Sequence, residues 1–560
     1  MTTAAPQVPV RGPSLVERLV RDPNAIWMRE MRQAARLGRT PWVLFALTLT
    51  LSLLMCSIGG LAAASQTTPA AIGGVLFQVF FSLAYLVVVA VGPAVAANGV
   101  ASEREGKTWE AVLLTGLKPQ DIARGKFMAA YTTLALYIVA LAPVGALSFL
   151  FGGVTATEVV VAFAFLFLVA ALAVAFGLAV SSLMSSLRGA IVVTVMLAVA
   201  LGPILYLLLG FAASFGIHKI WSEVPEAYPI WLPLAYSRGK LGLEYLLLLV
   251  GLPLLAVVVP AWFLYEATIS NLCGETDDRS TGLKRWFTFS TPLLAVASAV
   301  PTAVADDDAA RLGLSLLGIS AFSVYGAFCA FLFAAEPPGP SRRVRIHWER
   351  SRAGALTRFY GPGLPKTAML VTVLGFVSIW MIAVGDMTLV EWLDSSISTR
   401  AVDIEAIFFF AVYASGFYVF VVGLSAWLRS RGQSPWVARL ICGALLFLIS
   451  AGPWVVAAIG GLLSDHHAGD DWLVIGSPSP FYAIVVVSWI HDSKTMSNVP
   501  VVEAGALCSL LWGLVGLALL GAAAHRCRRT MRDLDAAVDA AEDALRAEDN
   551  AAGAPPAPAA

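Results

Sequence analysis

Long apolar stretches alternate with short polar ones along almost the whole chain. A helix rises about 1.5 Å per residue, so roughly 20 apolar residues are needed to cross about 30 Å of hydrocarbon. Twelve stretches are long enough: 41–64, 71–97, 127–151, 158–184, 190–216, 241–265, 286–304, 311–335, 367–390, 404–428, 437–463 and 500–524. The seventh is short and is interrupted by Pro292 and Pro301. Because lipid satisfies no backbone group, the pattern predicts an all-α polytopic membrane protein of about 12 transmembrane helices.

Composition narrows the class further. The 560 residues are 58% hydrophobic and 13% charged, against about 25% charged in soluble domains, which excludes water-soluble classes. Lys plus Arg equals Asp plus Glu at 37 each, so no nucleic-acid partner is expected from net charge. The distribution of charge is more informative. With a cytoplasmic N-terminus and twelve crossings, 31 of the 37 basic residues fall in inner segments. Only Lys219, Arg238, Lys240, Arg311, Arg400 and Lys494 fall outside. Such a bias predicts a multi-pass protein with both termini cytoplasmic. The first apolar run is too long for a cleaved signal and is followed at once by another, so it reads as a retained span. The six cysteines offer no pair in an outer segment, and no exported disulfide is expected.

The spans divide into two six-helix halves. Residues 1–40 form a lead-in, 41–273 the first half, 286–524 the second, and 525–560 an acidic tail that begins as an amphipathic helix and ends in Ala and Pro. The run from Gly177 through Ser186 to Gly189 aligns with that from Gly423 to Gly432, and Gly202-Pro203 follows one as Gly452-Pro453 follows the other. The order of these features suggests an internal duplication. The inner segment 336–366 is strongly basic and reads as a contact for anionic membrane lipids.

Residues 101–126 carry the densest chemistry. Trp109, Val112 and Leu113 stand at helical spacing, while Glu103, Arg104, Glu105, Lys107 and Glu110 would face the cytosol. Gly116 and Pro119 end that helix and start a new turn. A rigid charged knob clamped between the second and third spans is suited to passing force into them. Ala101 to Thr108 also satisfies a relaxed phosphate-loop pattern, but Glu103 and Glu105 would oppose phosphate oxygens. No inner segment is long enough for a nucleotide-binding domain.

The same segment resembles the coupling region of the membrane subunits of ABC-2 type ATP-driven transporters. The resemblance rests on Glu103, Arg104, Glu105, Gly106, Thr108, Glu110, Leu113, Leu114, Pro119, Gly125 and Lys126, and on the lead-in Asn24–Gln33, similar to an amphipathic helix that precedes the first span in that family. It covers residues 24–270 clearly and 286–524 faintly, and the loop between the eighth and ninth spans lacks the acidic-Gly-Thr pattern. What it implies is a permease, an exporter, in the plasma (inner) membrane of a prokaryote. The implied partner is a cytosolic, homodimeric ABC ATPase that binds the ATP and magnesium, with no cofactor on this chain. Glu103, Glu105, Gly106, Thr108 and Glu110 would then shape the dock, Leu113 and Leu114 would seat it, and Gly125-Lys126 would open the third span. Whether one chain forms the pore or pairs with a second permease chain is left open.

Other candidates are weaker. Asp465, His466, His467, Asp470, Asp471, His491 and Asp492 could ligate a metal, but their spacing defines no geometry. No serine stands in a nucleophile elbow, and an enzymatic role is not expected. An ion-coupled twelve-span carrier is the alternative, although no Lys or Arg lies within a predicted span past its first turn, where Arg311 opens the eighth, and Glu244, Glu266 and Glu405 lie near span ends.

Overall fold

The computed structural model describes residues 24–36, 39–64, 68–221, 233–239, 241–274, 276–305, 307–394, 397–463, 471–492 and 499–552. Every regular element among them is helical, and twelve helices are long and apolar enough to cross a membrane. Each coincides with one of the twelve predicted stretches. The chain is an all-α polytopic membrane protein, and it divides into two compact units, Met1–Cys273 and Gly274–Ala560.

In the first unit, α1 (Ala25–Arg36) precedes α2 (Arg39–Ala64), α3 (Pro69–Glu105), the short α4 (Trp109–Leu114), α5 (Pro119–Leu150), α6 (Ala156–Leu183), α7 (Leu187–Ile220), α8 (Pro233–Arg238) and α9 (Leu243–Leu272). Caps explain several of these boundaries. Thr68 accepts from the Ala71 N–H, and Thr155 and Glu158 form a reciprocal capping box at the start of α6. Within α9, residues Leu246–Gly251 form a π turn immediately before Pro253, whose missing N–H disturbs the regular ladder. The core joins Phe77, Phe80 and Phe81 of α3 to Leu134 and Leu141 of α5 and Leu166 of α6. Ser181 ties α6 to α3 by donating to the Ala97 carbonyl at 2.6 Å and accepting from the Ala101 N–H at 3.0 Å.

The second unit holds α10 (Thr281–Ser298), α11 (Val300–Val304), α12 (Asp308–Phe333), α13 (Arg342–Arg350), α14 (Ala355–Tyr360), α15 (Leu364–Leu393), α16 (Ile397–Ser430), α17 (Pro435–Leu463), α18 (Asp471–Ile475), α19 (Tyr482–Asp492) and α20 (Val499–Ala552). The seventh span is broken at Ala299, one residue before the second helical piece that contains Pro301. Most of α16 is buried among its neighbours. Its Tyr418 ring passes between Gly326 and Gly375, where an added Cβ would stand 2.6 Å from a ring carbon on either side, and its hydroxyl donates to the Val371 carbonyl at 2.7 Å.

Helix ends run past the predicted spans because packing and charge pairing continue beyond the apolar windows. The twelfth span and the tail as far as Ala552 are one helix of 54 residues, roughly 80 Å long at 1.5 Å per residue. Its Asp535 accepts two hydrogen bonds from Arg345 of α13, at 3.0 and 2.6 Å, and Glu542 pairs with Arg342. The acidic tail therefore covers part of the basic 336–366 segment.

The glycines that align between the two halves have different surroundings. Gly177 meets Pro93 on α3, whereas Gly423 meets Gly516 on α20. Gly202 abuts Val89, but Gly452 has only its own helix's Leu448 nearby. Small residues let membrane helices approach closely, and the Gly423–Gly516 crossing has backbone against backbone. Gly423→Leu is expected to destabilise the protein by about 1–3 kcal/mol, read as a lower melting temperature in detergent. Gly443→Leu, where a side chain meets open space, should change it little.

Candidate functional site

The segment 101–126 is three elements. The second span's helix continues through Ala101 to Glu105, the short α4 follows, and α5 begins at Pro119, earlier than residue 127 as the apolar pattern suggests. No second proline stands between Gln120 and Phe127, and Pro at the first helical position sets φ for the turn. The end of α3 is a tight reversal in which the Gly106 N–H donates to Ser102 at 2.9 Å, and Thr108 to Glu103 at 2.9 Å. The left-handed residue of the reversal is Lys107, at φ +54°, and Gly106 has an ordinary φ of −75°.

Glu103 does not face solvent; this corrects the expectation drawn from helical spacing. It is buried, and its Oε1 pairs with Arg29 of α1 and lies 3.1 Å from Lys126 Nζ of α5. Lys126, 3% exposed, also lies 3.4 Å from Glu30 and donates to the Gly99 carbonyl at 2.8 Å. Two cations and two carboxylates thus join three helices in one network. Gly125 makes room for it, since a Cβ there would lie 2.8 Å from the Ile26 Cβ. Asn24 completes the joint by capping α1 through the Ile26 N–H at 2.9 Å while donating to the Asp121 carbonyl at 2.7 Å.

Two further motif residues reach the turn between α6 and α7. The Glu105 carboxylate accepts from the Leu187 N–H at 2.6 Å, placing negative charge at the N-terminus of α7. Arg104 donates to the Met184 carbonyl at 3.4 Å and lies 5.7 Å from the Trp109 ring centroid. Of the apolar residues of α4, Val112 is buried in the core, whereas Leu113 and Leu114 are 45% and 87% exposed. The exposed side of the segment includes Gly106, Lys107, Thr108, Glu110, Leu113, Leu114 and Leu117.

The equivalent inter-span loop of the second unit has a comparable base with other residues. Lys284, fully buried, donates to the Gly361 carbonyl at 2.7 Å and stands 3.6 Å from Glu336. The Glu336 carboxylate accepts from the Gly363 N–H at 3.0 Å. Burial pushes that carboxyl above its ordinary range, and Lys284 and Gly363 pull it part of the way back. Trp348 packs on Gly361 beneath Lys366, whose Nζ is 5.7 Å from the ring centroid.

Sequence reasoning missed the charge inside the second unit. Arg311 is buried in α12, paired with Asp394 and with Asp308 at 3.2 Å, and donates to the Ala305 carbonyl at 2.6 Å. Asp386 is fully buried in α15 and accepts from Ser315 at 2.7 Å. Asp386 lies within the predicted span 367–390, so a scan for acidic as well as basic residues finds it. The possible ligands Asp465, His466, His467 and Asp470, and the side chains of Asp471, His491 and Asp492, lie outside what the structure describes. Among the described residues no group of three or more His, Cys, Asp or Glu is placed to hold a metal, and all six cysteines are free thiols.

Compared with models of known protein families and with curated protein sequences, the chain matches none.

Removing one partner of a buried charge network strands the others in a medium that solvates them poorly. Lys126→Met is expected to cost about 3 kcal/mol of stability. Combined with Glu103→Gln, the loss should be smaller than the sum of the two singles by more than about 0.5 kcal/mol. A double-mutant cycle of thermal unfolding in detergent checks this; additive losses would show that the two side chains act separately.

Proposed function

We propose that this chain is the membrane-spanning permease of an ATP-driven transporter of the ABC-2 type, and that it exports its cargo. A separate cytosolic ATPase, which binds ATP and magnesium, would dock on the exposed side of residues 106–117. The observation that carries the reading is the division of this segment into two faces. Its inner face is locked to α1, α3 and α5 by Arg29, Glu30, Glu103 and Lys126, while its outer face presents Glu110, Leu113 and Leu114 with few bonds of their own. Apolar tips beside charged groups make a suitable contact for a protein partner, since apolar anchors there lose water on docking.

Force applied to α4 would reach the spans through a short lever. The reversal at Gly106-Lys107-Thr108 and the Pro119 start leave α4 little freedom between two helices. Displacing it moves the ends of α3 and α5, and the ion network carries α1 along. Glu105 extends the same motion to the N-terminus of α7. Glu103, Glu105, Gly125 and Lys126 are then transmission parts, and the contact itself belongs to Glu110, Leu113 and Leu114. In this reading the charge bias puts the segment and both termini in the cytoplasm, and the resemblance to ABC-2 permeases implies the plasma membrane of a prokaryotic cell.

An ion-coupled carrier remains the second reading, favoured by the buried Asp386 and the Arg311–Asp394 pair. Reconstituted vesicles separate the two: cargo flux with ATP and the ATPase supports the permease, and flux driven by an ion gradient alone supports the carrier. Within the permease reading, Leu114→Arg and Glu110→Lys should each reduce co-purification of a co-expressed cytosolic ATPase by at least about 10-fold, the equivalent of 1.4 kcal/mol, with unchanged melting temperature. Undiminished ATP-driven flux in both variants sinks the dock.

A further inference from the structure

We propose that Asp386 is a proton-binding site enclosed within the second unit. The inference is independent of how transport is energised, because it rests on the surroundings of one carboxyl group. Asp386 is 0% exposed on α15 and faces Ser315 of α12, also 0% exposed, whose hydroxyl donates to Oδ2 at 2.7 Å. The other oxygen, Oδ1, is buried with no hydrogen-bond partner among the described residues. The Thr302 hydroxyl of α11, which packs on α12 and α15, is likewise buried without one.

The charged groups around this carboxyl are otherwise engaged or distant. On α12, Arg311 is one helical turn from Ser315, but Asp394, Asp308 and the Ala305 carbonyl already hold its guanidinium. Glu391 and Arg400 pair with each other at 3.7 Å at the end of α15 and the start of α16, and Arg400 also donates to the Asp394 carbonyl. Asp403 of α16 adds a second carboxyl and no positive charge. Glu503 is exposed near the start of α20. Lys284 of α10 donates to the Gly361 carbonyl, just before the opposite end of α15, and Lys366 at that end donates to the Arg358 carbonyl. Among the described residues no cation lies within 4.0 Å of Asp386 to balance an ionised form.

A carboxylate in such surroundings gives up far more hydration than the hydroxyls of Ser315 and the neighbouring Thr302 return, so the group is held as the neutral acid with its proton on Oδ1. The proton leaves to water, and the carboxylate forms, only when helix motion admits water or frees Arg311 to turn from Asp394 to Asp386. Asp386 therefore binds one proton in the enclosed state and releases it in an opened one.

Infrared spectroscopy of the full-length protein in lipid nanodiscs at pH 7 tests this. The expected result is a protonated-carboxyl C=O band in the wild type that is lost in Asp386→Asn, which keeps the shape of the neutral acid. Absence of the band from the wild type, or its persistence unchanged in Asp386→Asn, overturns the proposal. An apolar carbodiimide, which adds to protonated carboxyls, should mass-label the peptide containing Asp386 at pH 7, and an unlabelled peptide overturns the assignment.

Discussion

Hydrocarbon tolerates neither an unpaired charge nor an open backbone group, and the way this chain handles its few buried charges organises the rest of the structure. Charge that enters the helix bundles is collected at helix ends and neutralised between elements. Lys126 joins Glu103 and Glu30, Lys284 joins Glu336, and Arg311 joins Asp394. Each knot fixes the relation of at least two helices, which apolar packing alone does weakly in a bilayer because lipid tails are as apolar as the side chains. Between the knots, close contact comes from small residues, as at Gly177 against Pro93 and Gly423 against Gly516.

The first of these knots changes how the 101–126 segment is understood. A row of charged residues between two spans suggests a polar surface, yet the side chains divide by depth. Glu103 and Lys126 neutralise each other inside, Glu105 serves the helix that starts at Leu187, and Glu110 with the exposed leucines remains outside. The segment thus has a buried side tied to neighbouring helices and an exposed side free of them. Glu103 and Lys126 are packed into the bundle, whereas Leu114 stands clear of it.

The second unit solves the same loop problem with different residues. Its loop between the eighth and ninth spans is also anchored on a buried lysine and carboxylate, but the outer surface is basic and partly covered by the acidic extension of α20. The two units also differ in packing, with α3 paired closely with α6 in one and α16 with α20 in the other. Repetition of sequence features at Gly202 and Gly452 therefore does not carry over into equivalent contacts.

The number, place and helical nature of the spans were legible in the chain itself, because a run of roughly 20 apolar residues in lipid has few alternatives to a helix. The turn signals at Gly116 and Pro119 were equally readable, since they act on the local backbone. Where a helix extends past its apolar window, as at Glu105, depended on neighbours that local sequence does not name. The same holds for which carboxylates lie inside. Glu103 and Glu110 look alike in the sequence, and only the approach of α1 and Lys126, distant along the chain, buries one and leaves the other in the open. Hydrophobic length is a property of a segment, but the depth of a charge is a property of the elements packed around it.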